Sequence, residues 1–211
     1  AVSVFRYDKK QADLSQLPMA QRAFQKLRTI KHPYILAFLD GIEEESAVLM
    51  ATEPVVPLSS WLKQPRPDAI SEEARKDIKD QLVWGTKCIL EATQFLHRQC
   101  GLLHGFLGPQ AIFVSKNGDW KLGALDLACA LTDPEDQAFF AKFDHKLDRR
   151  YRSQEREDGS WRSLLSTKAY LSMDSYSLGA VLAMAFSTLH VSPPEQLQNY
   201  LTKAGVSEPR R

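Results

Sequence analysis

Carboxylates are missing from a whole stretch of this 211-residue chain: no Asp or Glu occurs between Glu91 and Asp119, and no Glu occurs before Glu43. A reaction that needs a proton acceptor or oxygen ligands for a metal can draw neither from that interval. Cysteine is scarce too. Cys88, Cys100 and Cys129 are an odd number without a C-x-x-C pair, which argues against a disulfide framework or zinc site and points to a reducing, intracellular setting. No apolar run reaches the roughly 18 residues that a membrane-spanning helix needs, and no basic-then-apolar leader opens the chain. Charge of one sign is also lacking: 27 Lys and Arg stand against 26 Asp and Glu, a net charge of +1. No overall field therefore recruits nucleic acid or an anionic membrane, and a partner must be recognised by a surface patch.

What is present is a core-forming composition, 44% hydrophobic, enough for one domain or for a small lobe joined to a larger one. VSVFRY at 2–7 alternates and reads as a strand. Residues 18–31 read as a helix, with Pro18 suited to the first turn and Phe24, Leu27 and Ile30 at helical spacing. ILAFLDGIE and AVLMATE read as strands meeting near Glu43 to Ser46, and Pro54 and Pro57 then break the pattern. Ile78, Leu82, Ile89, Ala92 and Leu96 mark a long helix ending near Gly101. AIFV and DWKL read as short strands about a turn at Lys116, Asn117 and Gly118. From about Asp126 to Trp161 there is no clear periodicity. Leu178, Val181, Leu182, Ala185, Phe186 and Leu189 then mark a second buried helix. The chain starts at Ala1 and stops at Arg210 and Arg211, and is expected to be a piece of something longer.

The order of these elements, together with HGFLGPQAIFVSKNGDWKLGALDLA at 104–128, resembles a protein kinase. That family's catalytic loop, H-R-D-L-x-x-x-N, is followed at this spacing by D-F-G. YRSQE at 151–155 stands in place of Y-R-A-P-E, DSYSLG at 174–179 in place of D-x-W-S-L-G, and His32-Pro33 matches an H-P-N-I junction. VSVFRYD, HPYILAFLDGIE, TEPVVPL and GDWKLGALD are similar to the Scy-like family of pseudokinases, whose kinase-like domain precedes helical repeats and serves membrane traffic at the Golgi and endoplasmic reticulum. The resemblance implies a two-lobed α+β fold: residues 1–53 a partial, β-rich small lobe, 54–57 a hinge, and 58–211 a mainly helical large lobe lacking its last helix.

The same register implies that the reactive side chains are gone. Phe5 takes the place of the strand Lys, Ala23 of the regulatory-helix Glu, Phe106 of the catalytic Asp, Ala111 of the metal-binding Asn and Ala124 of the D-F-G Asp. Arg6 neighbours Phe5, but consecutive strand residues face opposite sides. Asp126 lies two residues past the expected ligand and is the one carboxylate that a bulged loop could bring to a metal. No metal site and no cofactor are expected. The hinge residues Thr52, Glu53 and Val55 could offer backbone hydrogen bonds to an adenine, while the family's glycine-rich loop would fall ahead of Val2. ATP binding is accordingly expected to be weak or absent. His104, Glu155 and Asp174 are expected to be structural, with Arg211 or a residue beyond it as the partner of Glu155. The alternating charges between Asp126 and Arg162, including Asp144 and Arg156, read as a solvated face, with a docking surface anchored by Phe139, Phe140 and Phe143 as the sharper alternative.

The function expected is an inactive kinase-like scaffold for protein partners, vesicle-coat components among them, in the cytoplasm and peripheral to Golgi or endoplasmic reticulum membranes. Two alternatives stand beside it: a divergent ATP-binding kinase of weak or atypical activity, and a switch that binds nucleotide without turnover.

Overall fold

Alternation in the first residues produces an edge strand. In the computed structural model, which describes residues 1–65, 71–167 and 169–203, β1 spans Ser3–Asp8, with Val4 and Arg6 exposed and Ser3, Phe5 and Tyr7 on the more covered face. It pairs antiparallel with β3 (Ala47–Thr52), Phe5 opposite Met50, and β3 pairs on its other side with β2 (Phe38–Glu43). The order β1-β3-β2 makes a three-stranded sheet. Against it lies α1 (Leu17–Thr29), with Pro18 in its first turn and Met19, Ala23, Phe24 and Leu27 buried. The backbone turns extended at Ile30, so the helix is shorter at its end than the apolar spacing through Ile30 suggests.

A second sheet, β4-β5-β6, joins β4 (Val55–Pro57), β5 (Ile112–Ser115) and β6 (Trp120–Leu122). This corrects the expected break at Pro54 and Pro57: Val55, Val56 and Pro57 pair with Ser115, Val114 and Phe113. Proline is tolerated because β4 is an edge strand and Pro57 its last residue, next to α2 (Leu58–Leu62).

The long helix α3 (Glu72–Phe95) starts at Ser71, whose hydroxyl accepts from the Ala74 amide, and passes through a wider π-type turn to Gly101, left-handed at φ 67°. Gly85, within α3, faces the Trp120 ring so closely that a Cβ would sit 2.2 Å from it. Only glycine lets this helix meet β6. A second correction falls in the segment expected to lack periodicity. There Asp133 caps α4 (Pro134–Phe143), its Oδ1 accepting from the amides of Glu135 and Asp136 at 2.8 and 3.1 Å. After α5 (Gln154–Glu157) come α6 (Ser172–Thr188), which buries Leu178, Val181, Leu182, Ala185 and Phe186, and α7 (Glu195–Lys203).

The main core runs from Leu27 and Leu36 through α3 and β5 to α6. A smaller one gathers Met19 of α1 with Phe140, Phe143, Trp161 and Tyr170 around Leu127 and Cys129. A small antiparallel sheet with one helix, followed by a mainly helical region, is the two-lobed α+β arrangement expected.

Candidate functional site

The loop from His104 to Ala111 lies between α3 and β5 and is held from below by one carboxylate. Asp174, in the first turn of α6 and 1% exposed, accepts from the Gly105 amide at 2.9 Å and the His104 amide at 2.7 Å, and lies 2.8 Å from His97 Nε2. Burial pushes this carboxyl up, but the hydrogen bond and charge of His97, with the hydrogen bond from the Gly105 amide, hold it below its ordinary value. The loop backbone thus closes on a buried anion whose bonding partners are protein groups.

His104 is fully buried. Its Nδ1 accepts from the Phe106 amide at 3.2 Å, which leaves the proton on Nε2 to donate to the Gly123 carbonyl at 2.9 Å. Burial lowers its pKa, so the ring is neutral at pH 7. Both nitrogens serve the backbone, and neither faces a substrate. Gly123 also donates its amide to the Ala111 carbonyl at 2.7 Å. His104, Phe106, Ala111 and Ala124 are thereby gathered at one place, between the loop and the end of β6.

That place offers methyl groups and rings. Ala111 is fully buried, and Phe106 packs between the two cores. Ala124 is held left-handed at φ 49°, ψ 52°, a conformation that costs a non-glycine residue about 1–3 kcal/mol. Phe5 turns inward and meets the Phe113 ring edge-on, centroids 5.2 Å apart. Arg6 points outward and binds Asp8 at 2.9 Å. Ala23 is buried in α1. Asp126 lies in the helical turn after Ala124. Burial pushes its carboxyl up to about 6, relieved only by its own backbone amide. Among the described residues no group of three His, Cys, Asp or Glu side chains gathers where a metal could sit.

Along the expected hinge, backbone groups already have internal partners. The Thr52 hydroxyl donates to the Glu53 carbonyl at 3.0 Å, and the Glu53 amide donates to the Ala37 carbonyl at 3.1 Å. The Val55 amide donates to the Ser3 hydroxyl at 3.0 Å, and that hydroxyl donates to the Val55 carbonyl at 3.2 Å.

Two ion pairs escaped the sequence reading. Arg22 of α1 reaches Asp136 of α4 at 2.6 Å and stacks over the Phe139 ring at 3.8 Å, while the other oxygen of Asp136 accepts from the Ala130 amide at 2.7 Å. Arg156, 2% exposed, binds Asp144 through Nε at 2.8 Å and Nη2 at 2.7 Å, and donates from Nη1 to the Gly105 carbonyl at 2.9 Å. The charge-rich segment is therefore no uniform solvated face: Asp144 and Arg156 are buried in it, as are Phe140 and Phe143. Glu155 is half-buried, and no ion pair to it is found among the described residues; Arg211 lies outside them. Alternating signs carry no hint of which charge is buried, so the sequence held no signal for Arg156.

Residues 2–205 match the family model for the protein kinase domain. Among curated relatives, the chain is 31% identical over 182 residues to the "Probable inactive serine/threonine-protein kinase scy1" of Dictyostelium discoideum, covering 86% of this chain and 20% of that protein. It is 29% identical over 149 residues to human SCY1-like protein 2, with 64% of this chain and 16% of that protein covered. To the protein kinase-like protein SCY1 of Saccharomyces cerevisiae it is 28% identical over 148 residues, covering 59% of this chain and 18% of that protein. The chain spans a fifth or less of the length of each of these relatives.

Proposed function

This chain belongs to the protein kinase domain family as a Scy1-like kinase-like domain, and on that premise we propose that it works without phosphotransfer, as a scaffold whose outer surface binds protein partners. In this reading residues 1–53 are the small lobe, 54–57 the connection and 58–211 the large lobe. Its carrying observation is chemical. Phosphoryl transfer needs a strand Lys oriented by a helix Glu, an Asp to accept the hydroxyl proton, and Asn and Asp to hold magnesium. The register of the motifs assigns Phe5, Ala23, Phe106, Ala111 and Ala124 to those five positions. Losing the base alone costs on the order of 10² to 10⁴ in rate, and each lost electrostatic contact costs a factor of about 10² to 10³. The loop that carries Phe106 and Ala111 is nonetheless held in place by Asp174 and His104.

The name of the Dictyostelium relative, a probable inactive kinase, supports the same reading. By analogy with the Scy-like family the setting is cytoplasmic traffic at Golgi and endoplasmic reticulum membranes, with vesicle-coat components as partners. Among the described residues no helix is long and apolar enough to cross a membrane.

Thermal shift with ATP, with and without magnesium, tests the proposal, followed by radiolabel transfer to a generic substrate at high protein concentration. The scaffold gives no shift and no transfer. A second reading, a divergent ATP-binding kinase, would draw its metal ligand from Asp126, two residues past Ala124 in the turn that follows it. That reading requires a magnesium-dependent shift abolished by Asp126→Ala.

A further inference from the structure

On an extended strand the N–H and C=O of one residue point to the same side. Such a pair is what a purine edge, with a ring-nitrogen acceptor beside an exocyclic amine donor, would meet. At Val55, the first residue of β4, both groups face into the fold and both are bound to one atom: the amide donates to Ser3 Oγ at 3.0 Å, and Ser3 Oγ donates to the carbonyl at 3.2 Å. A hydroxyl carries one donor and two lone pairs, so it can do both at once.

We propose that the Ser3 hydroxyl is a built-in occupant of the Val55 edge, an autoinhibitory contact that closes a purine-type subsite and admits a heterocycle only when displaced. The proposal rests on reading the cleft as non-catalytic, since a site that turned over ATP would need this edge free.

The surroundings support it. Two residues along the same face of β1, Phe5 meets Phe113 of β5 edge-on, so β1 contacts the second sheet through a polar group and then an apolar one. The preceding backbone groups are engaged as well, with the Glu53 amide on Ala37 and the Glu53 carbonyl on Thr52. Two cavities among the described residues lie elsewhere: one of about 410 Å³ between Ile30 and Ala37 beside Lys121, the other of about 300 Å³ between α3 and α7. Ser3, Phe5, Val55 and Phe113 line neither.

The test is NMR on this chain as wild type, Ser3→Ala and Ser3→Thr, reading hydrogen exchange at the Val55 amide and titration with adenosine, which carries neither phosphate nor need of metal. Removing the hydroxyl should speed Val55 exchange at least about tenfold and tighten adenosine binding by at least about tenfold, the worth of one to two exchanged hydrogen bonds. Ser3→Thr, which keeps the hydroxyl on a strand-favouring residue, should stay at wild-type values. A Ser3→Ala variant within about twofold of wild type in either readout overturns the proposal. If that happens while radiolabel transfer stays absent, only the proposal falls. Magnesium-dependent ATP binding by the wild type would overturn it and the non-catalytic reading together.

Discussion

Asp144→Ala is the most exacting perturbation that the structure offers. The Arg156 side chain is fully buried, and Asp144 is its sole ion-pair partner among the described residues: Nε and Nη2 both reach Oδ1, at 2.8 and 2.7 Å. Nη1 is satisfied by the Gly105 carbonyl, and the guanidinium stands 4.9 Å from the Phe140 ring. Removing the carboxylate leaves a desolvated cation with two backbone carbonyls, those of Gly105 and of residue 144 itself, and a ring face for company. Breaking a buried pair from one side costs about 3–5 kcal/mol, and in a domain of this size each kcal/mol shifts Tm by about 2–4 °C. Asp144→Ala should therefore lower Tm by roughly 6–20 °C, read by calorimetry and checked by urea unfolding. Replacing both partners, Asp144→Leu with Arg156→Met, removes charge and counter-charge together, and should return to within about 2 kcal/mol of wild type. A single variant within about 1 kcal/mol of wild type, or a double variant no better than the single, would refute the reasoning.

Asp174→Ala strips the acceptor from two buried amides, His104 and Gly105, and should cost at least about 3 kcal/mol, with faster Gly105 amide exchange as the local signature. The Arg22–Asp136 pair, each side chain about one-fifth exposed, should show a coupling of about 1 kcal/mol in a double-mutant cycle read by urea unfolding, falling with added salt. The Asp126 carboxyl is raised from 3.8 to about 6, so the stability its proton supplies is fully present below 3.8 and lost as pH rises through about 6. Asp126→Asn should accordingly stabilise by about 2–3 kcal/mol at pH 8, with the gain vanishing below about pH 4 in urea midpoints taken across the range. His104, whose pKa is lowered by burial, acts with the opposite sign: stability rises with pH up to its unfolded value near 6.5, and His104→Gln should flatten that limb of the wild-type curve.

How much of this could be read beforehand depended on the range of the interaction. Strand β1, helix α3 and helix α6 showed themselves because each buries a face at its own period, and the Lys116–Gly118 turn because Gly118 sits at φ 83°. Helix α4 hid because its phenylalanines divide their duties: Phe140 and Phe143 enter the small core while Phe139 lies under Arg22, so no single stripe forms. Strand β4 hid behind two prolines that an edge position tolerates. Within the site, the register of motifs named Phe106, Ala111 and Ala124, which the fold gathers beside His104. The bonds now seen there join residues far apart in sequence, Ser3 to Val55 and Arg22 to Asp136, and neither periodicity nor spacing carries such pairings.

Those long-range bonds share a logic. In an active kinase the regulatory helix is oriented by the strand Lys–Glu pair, and the segment after D-F-G is often ordered by a phosphate on an Arg cluster. Here α1 is tied instead by Arg22 to Asp136, and the later segment by Arg156 to Asp144. Both ties are ion pairs between groups of the chain itself. Groups covalently part of the chain are present at effectively unlimited local concentration, so they order these elements at all times rather than in response to ligand. On the scaffold reading proposed above, such permanent ties would hold the outer surface in one shape for a partner.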